Sequence, residues 1–150
     1  MAEVPEVRID AFLKGISMIA FISCVKTKQN FPCKAREMYI SPLFKKTLAF
    51  AEKHADRVFI LSAKYGLLQL EDKIAPYEKT LKNATEHEKK RWAYLVYKKF
   101  LEIGGNLNEP CLFLCGIDYR KYLVPKFPNA RIPLKGLSFG NQLRWLKEHS

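Results

Sequence analysis

The chain alternates short apolar runs with longer segments in which apolar residues recur at helical spacing. The short runs, rich in β-branched and aromatic residues, are typical of strands covered on both faces of a sheet, and they span 18–22, 57–62 and 110–115. Segments with one apolar stripe predict amphipathic helices over 42–54, 85–103 and after Gly140. Because strands and helices alternate, we predict a mostly parallel sheet with helices packed on it.

Local signals mark several element ends. Ser41 stands directly before a proline, which favours an N-cap followed by the first turn of a helix. Thr85 and Glu88 have the spacing of a capping box. Pro133 cannot donate a hydrogen bond to a neighbouring strand, so it places a fourth strand over 130–134 at a sheet edge or a strand end.

The length and the pattern together predict a single α/β domain over residues 1–150. It has three layers and a mostly parallel sheet of four or five strands flanked by helices. Val7, Ile9, Ala11 and Leu13 alternate with the residues before them, which suggests that residues 1–17 contain an edge strand or an amino-terminal arm. The amino terminus is acidic, and no apolar run approaches the roughly 20 residues that span a bilayer. We therefore expect a cytoplasmic protein with no membrane partner.

Charge adds a partner class to this picture. Lysine and arginine number 26 against 15 acidic residues, which gives a net charge of +11. Such a field favours polyanions, chiefly nucleic acid, although a lysine-rich surface that only aids solubility is the alternative. The basic residues concentrate after the first strand and along one helix: Lys26, Lys28, Lys34, Arg36, Lys89, Lys90, Arg91, Lys98 and Lys99.

The four cysteines do not have the spacing of a zinc site. Cys24, Cys33, Cys111 and Cys115 form no C-x2-C pair, so we expect no metal and no cofactor, and we expect reduced thiols. Cys111 is interpreted as a packing residue. Cys24 and Cys115 each end a predicted strand. One of them is a reactive thiol, or both are buried and unreactive.

Candidate binding residues lie in the loops that follow the predicted strands, where sheets of this class bind ligands. Hydroxyls, lysine ammonium groups and glycine backbone can hold a phosphate, and tyrosine rings can stack on a base. The candidates are Ser23, Lys26, Lys28, Ser41, Ser62, Lys64, Tyr65, Gly66, Tyr77, Gly116, Tyr119 and Ser138. The alternative is that the tyrosines are core residues and the glycines are plain turns.

The stretch from Ile60 to Leu68, with Asp72 and Pro76-Tyr77 downstream, resembles a bacterial and phage family of unknown function. It is also similar to the YaaA peroxide-stress family, whose pattern has a serine-glycine strand end, tyrosine-glycine, an aspartate and proline-tyrosine. A more distant resemblance is to the core domain of archaeosine synthase, which modifies a deazaguanine base in transfer RNA. These resemblances imply a uracil-DNA-glycosylase-like fold, DNA binding and a function near nucleic-acid bases.

The leading hypothesis is a protein that binds nucleic acid or a nucleotide and acts on a nucleobase or its glycosidic bond. An acid would position water or stabilise a cationic sugar, and Asp72 is the preferred candidate, with Glu78 and Asp118 behind it. The alternative mechanism uses Cys24 as a nucleophile whose thiolate form a neighbouring lysine would favour.

Two further functions stay open at this point. One is a non-catalytic DNA- or RNA-binding protein with a protective, stress-related or phage-related role, which needs only surface lysines and stacking rings. The other is a protein that binds a small nucleotide signal. The partner in every case is nucleic acid or a nucleotide, and the sequence predicts no oligomeric state.

Overall fold

A computed structural model describes residues 17–149, so the predicted amino-terminal arm lies outside the described residues except for Ser17. The strands are β1 (Ile19–Ser23), β2 (Cys33–Lys34), β3 (Arg57–Ser62), β4 (Gly66–Gln69), β5 (Lys73–Ile74), β6 (Cys111–Leu114) and β7 (Ala130–Arg131). The helices are α1 (Ala35–Met38), α2 (Pro42–His54), α3 (Glu86–Glu102), α4 (Ile117–Arg120) and α5 (Phe139–Glu148), with a 3-10 turn at Val124–Lys126.

Five strands form the main sheet in the order β4-β3-β1-β6-β7. β1 pairs in parallel with β3 and with β6, β7 continues the parallel set beyond β6, and only β4 is antiparallel. The prediction of an α/β fold with a mostly parallel sheet flanked by helices is confirmed. β2 and β5 form a separate antiparallel pair.

The centre of the sheet is held by aromatic side chains that meet around β1. Phe21 is almost completely buried, and its ring centroid lies 4.8 Å from that of Phe113 and 5.8 Å from that of Phe59. Phe127 and Phe100 contact the same ring edge-on at 5.3 and 5.7 Å. Rings at these separations pack favourably, so this cluster holds β1 in place at the centre of the sheet.

Two of the predicted helix starts are confirmed by their hydrogen bonds, and the last helix begins at Phe139, just before its predicted start. The Ser41 hydroxyl accepts a hydrogen bond from the backbone N–H of Phe44 at 3.1 Å, which caps α2. Thr85 and Glu88 form the reciprocal capping box at the start of α3. α3 ends before Gly104, whose φ of 86° is a backbone conformation that favours glycine.

The apolar stripe of α3 is narrower than its sequence suggests. The sequence predicts a stripe of Trp92, Leu95, Val96, Phe100 and Ile103. Trp92, Val96 and Phe100 are buried, whereas Leu95 and Ile103 are exposed. The helix rests on the sheet through one side only, so residues at the margins of the stripe face solvent. None of the helices in residues 17–149 is both long and apolar enough to cross a membrane.

The polar turn after β3 is a tight hairpin that the sequence did not reveal. Ser62 pairs with Gly66, and the chain returns as the antiparallel strand β4. Gly66 has a φ of 73°, which lets the backbone reverse there without a Cβ clash. The returning strand is short and starts with glycine, so it carries little β-strand signal of its own.

A candidate binding cleft at the carboxyl edge of the sheet

A cleft of about 900 Å³ opens beyond the carboxyl ends of β1 and β6. The chain leaves β1 for β3 on one side and later adds β6 on the other, and α/β sheets bind ligands at this kind of crossover. Ligand sites of this volume accommodate a nucleotide-sized molecule. The candidates from the sequence that line it are Ser23, Cys24, Lys26, Lys28, Gly116 and Tyr119.

Positive charge predominates on the cleft wall. Its ionisable lysines and carboxylates are Lys26, Lys28, Lys79, Lys82, Glu78 and Asp118. Residues 78–82 belong to an irregular segment between β5 and α3. Because this segment has neither helical nor strand spacing, the sequence did not predict Lys79 and Lys82 as cleft residues. Within residues 17–149 no group of three or more histidine, cysteine or acidic side chains is arranged to hold a metal ion.

Lys28 is fixed against an aromatic ring beside the cleft. Its ammonium group lies 4.6 Å from the centroid of the Tyr77 ring and donates a hydrogen bond to the carbonyl of Lys26 at 3.2 Å. Burial lowers the pKa of Lys28, while the nearby Cys24 and Glu78 act in the opposite direction. The partial loss of water around this ammonium makes an incoming phosphate a favourable partner.

Cys24 lies in the cleft within reach of a tyrosine hydroxyl. Its thiol donates to the Tyr119 hydroxyl at 3.4 Å, and that oxygen also accepts from the backbone N–H of Leu81 at 3.3 Å. Burial raises the pKa of Tyr119, so this residue is a neutral phenol. Burial also raises the pKa of the neighbouring Cys115 thiol to about 12, which keeps Cys115 protonated.

Asp118 is held by a lysine that the sequence placed on the helix surface. The Lys89 ammonium donates to the Asp118 carboxylate at 2.9 Å and to Glu86 at 3.3 Å. Lys89 is only 8% exposed, so its interpretation as a solvated or phosphate-contacting residue is wrong. The hydrogen bond to Asp118 raises the pKa of Lys89.

The sequence that forms this cleft matches the model of a protein family. The model of a family of unknown function, DUF6884, matches residues 19–148. The chain belongs to the DUF6884 family. No curated protein matches the chain. The matched DUF6884 segment includes every strand of the sheet and every residue of the cleft, and the relationships to YaaA and to archaeosine synthase remain predictions.

Ser62 and Tyr77, from the stretch that resembles YaaA proteins, lie in a buried hydroxyl network of this DUF6884 domain. Ser62 is fully buried, donates to the Tyr77 hydroxyl at 2.8 Å and accepts from the backbone N–H of Tyr65 at 2.9 Å. The hydroxyls of Tyr77 and Tyr39 share a further hydrogen bond of 2.7 Å. Burial raises the pKa of Tyr39 to about 12 and also raises that of Tyr77. These neutral groups hold the hairpin against the domain and do not line the cleft.

Asp72 also lies outside the cleft. Its carboxylate accepts a hydrogen bond from the backbone N–H of Gln69 at 2.8 Å, and its carbonyl accepts from the N–H of Ala35 at 2.7 Å. These contacts stabilise the turn between β4 and β5 and connect it to α1. The structure therefore gives Asp72 a local structural role and brings Glu78 and Asp118 to the cleft in its place.

The remaining candidates do not line the cleft either. Ser41 and Ser138 cap α2 and α5, because each hydroxyl accepts from a backbone N–H three residues further on. The Tyr65 hydroxyl bonds both backbone groups of Ala75. Lys64 is exposed at the hairpin turn beside Gly66. These residues shape the periphery of the domain.

Replacing Ser62 by alanine should lower the free energy of unfolding by about 1–3 kcal/mol, because the partly buried Tyr65 N–H and the buried Tyr77 hydroxyl each lose a partner. Urea denaturation measures this loss. Ser138→Ala, at an exposed cap, is the matched control and should cost no more than about 1 kcal/mol. Equal stability of the Ser62→Ala and wild-type proteins would contradict a structural role for this serine.

Proposed function

We propose that the cleft binds a nucleotide unit, either free or within a nucleic acid, and that the protein acts on the nucleobase or its glycosidic bond. One observation carries the proposal: a nucleotide-sized cleft at the crossover of the sheet has four lysines on its wall, together with two carboxylates and the Cys24 thiol. Lysine ammonium groups supply the charge that a phosphate requires.

The cleft offers distinct surfaces to a phosphate and to a base. Lys79 and Lys82 are exposed, so their side chains can adjust to the position of a phosphate. Lys28 is instead held in place by the Tyr77 ring. Phe139, at the start of α5, also lines the cleft and is 61% exposed, so its ring is accessible for stacking on a base. A ligand with both an anionic and a flat aromatic part fits this combination best.

The carboxylate that we assign to the chemistry is Asp118. In hydrolysis of an N-glycosidic bond, the water oxygen bonds to the sugar carbon and the carbon–nitrogen bond breaks. The base leaves with the electron pair, and a proton lost by the water balances the one that the base gains. Positive charge develops on the sugar during this step, and a fixed carboxylate stabilises it. The ion pair with Lys89 orients Asp118 before substrate arrives.

Asp118→Asn should lower release of free base at least about tenfold while nucleotide affinity changes little, because charge stabilisation acts mainly in the transition state. Chromatographic detection of base released from nucleotides and short oligonucleotides measures this. Asp72→Asn is the control, because its carboxylate lies at a turn outside the cleft. Loss of turnover in Asp72→Asn with none in Asp118→Asn would reverse the assignment. Tight binding with no turnover by the wild-type protein would leave a non-catalytic binding function.

Cys24 is the other group positioned for chemistry, because it lines the cleft beside the Tyr119 hydroxyl. If Cys24 is the nucleophile, its sulfur adds to a ring carbon of the base while the thiol proton passes to the adjoining ring nitrogen. Cys24→Ser then abolishes turnover, and the wild-type protein forms this covalent adduct, which mass spectrometry detects. Full turnover by Cys24→Ser would exclude this mechanism.

The finer fold assignment belongs to the same proposal. We propose that the sheet is of the uracil-DNA-glycosylase-like kind and that the motif around Ser62 relates the chain to YaaA proteins and to archaeosine synthase. Support comes from the parallel order β3-β1-β6-β7 and from the cleft at the carboxyl ends of its central strands.

A further inference from the structure

A stripe of tyrosines and a lysine runs along the solvent face of α3. Lys90, Tyr94 and Tyr97 follow one another at spacings of four and three residues, so they share one side of the helix. Tyr94 is 52% exposed, and the centroids of the Tyr94 and Tyr97 rings are 6.4 Å apart. The exposed Tyr94 ring and the partly buried Tyr97 ring lie side by side, and neither lines the cleft.

The segment after α4 supplies the opposite side of this surface. The ammonium groups of Lys90 and Lys121 lie 5.5 and 5.3 Å from the centroid of the Tyr122 ring. The Lys126 ammonium lies 4.6 Å from the centroid of the Tyr97 ring. We call this surface the α3–α4 track, and its members are Lys90, Tyr94, Tyr97, Lys121, Tyr122 and Lys126.

The track continues from the cleft. Asp118 lines the cleft, and Lys121 and Tyr122 follow it by three and four residues along α4 and the turn after it, so the three residues lie on one side. Glu86 bonds both Lys121 and Tyr122, and these contacts hold its pKa down to about 2. Lys121 is thus paired with Glu86, while Lys90 and Lys126 add positive charge beside the rings.

We propose that the α3–α4 track binds single-stranded nucleic acid whose terminal or internal nucleotide occupies the cleft. This inference rests on the proposed function and narrows its substrate class from nucleotides in general to a polymer. Lys90 and Tyr97 are seven residues apart, which is about 10 Å along the helix, so one nucleotide in the cleft cannot also cover the track.

The chemistry of the track suits unpaired bases. A base can stack on a tyrosine face in place of the ammonium, and the displaced lysine can then reach the adjoining phosphate. Stacking of this kind requires bases that are free of a duplex, and it tolerates any base because each has a π face. The track therefore selects strand length and single-strandedness more than sequence.

The test compares a fluorescently labelled mononucleotide with a labelled single-stranded octanucleotide. The variant Tyr97→Ala/Lys126→Ala removes a ring and the lysine over it, and Phe31→Ala/Lys45→Ala removes an exposed ring and an exposed lysine that line neither the track nor the cleft. Octanucleotide affinity should fall about tenfold in the track variant and stay within about twofold in the control, while mononucleotide affinity is unchanged in both.

Each other outcome has a defined meaning. Equal wild-type affinity for the two probes, or an octanucleotide affinity that the track variant does not change, overturns the track. So does an equal loss of both probes, because the variant then acts through the cleft. Binding of anionic phospholipid vesicles that is lost in the track variant would assign the surface to a membrane instead. If the wild-type protein binds neither the mononucleotide nor the octanucleotide, the proposed function itself is rejected.

Discussion

Replacing Phe21 by alanine is expected to lower the free energy of unfolding by about 3–5 kcal/mol, which is a large part of the stability of a domain of this size. The ring is 1% exposed and contacts four other aromatic rings at the centre of the sheet. Its removal leaves a cavity that strands on both sides of β1 cannot close, because their positions are fixed by the ladder of hydrogen bonds. Urea denaturation followed by circular dichroism measures the loss.

Two further variants make the Phe21 result interpretable. Phe21→Leu keeps most of the buried volume and should cost about 1 kcal/mol, so it remains measurable if the alanine variant does not fold. Phe31→Ala removes a ring that is half exposed and should change stability by no more than about 0.5 kcal/mol. A loss below about 1 kcal/mol in Phe21→Ala would contradict the packing of β1 described above.

Reversing the charge of Lys79 and Lys82 should weaken nucleotide binding about a hundredfold, because two attractions to phosphate become two repulsions at short range. The effect should shrink as salt is raised, since screening reduces the repulsion as it reduces the original attraction. Fluorescence anisotropy with a labelled mononucleotide at several salt concentrations measures both. Stability should change little, because both side chains are exposed.

Lys45→Glu/Lys99→Glu is the matched control for this experiment. It changes the net charge of the protein by the same amount at exposed positions of α2 and α3 that do not line the cleft. A small loss in the control would measure the long-range field of the basic protein. If both double variants weaken binding equally, only net charge matters, and the cleft has no privileged part in phosphate recognition.

The sequence predicted the parts of the fold that local pattern determines. Buried strands such as β1 carry continuous apolar runs, and α2 and α3 carry caps whose hydrogen bonds involve residues only three positions apart. β4 was not predicted because it is only four residues long and forms by pairing with β3. Its own residues carry too little pattern to indicate that pairing. The burial of Lys89 was missed because Asp118 lies far away in the sequence.

The same distinction explains the candidate site. Cys24 and Gly116 follow parallel strands, so the rule that ligands bind at strand ends placed them correctly at one edge. Ser62 is the last residue of a parallel strand too, but the returning hairpin buries it and Tyr77 fills the adjoining space. Lys79 and Lys82 reach the cleft through an irregular segment whose path depends on tertiary contacts alone.

The hairpin from β3 into β4 makes the carboxyl edge of the sheet asymmetric. Next to β3, the space is filled by Tyr77, whose hydroxyl is hydrogen-bonded to Ser62 and Tyr39. Next to β6, the corresponding space is the open cleft. The half of this edge next to β3 is thus filled by a side chain of the protein itself, and the half next to β6 is open.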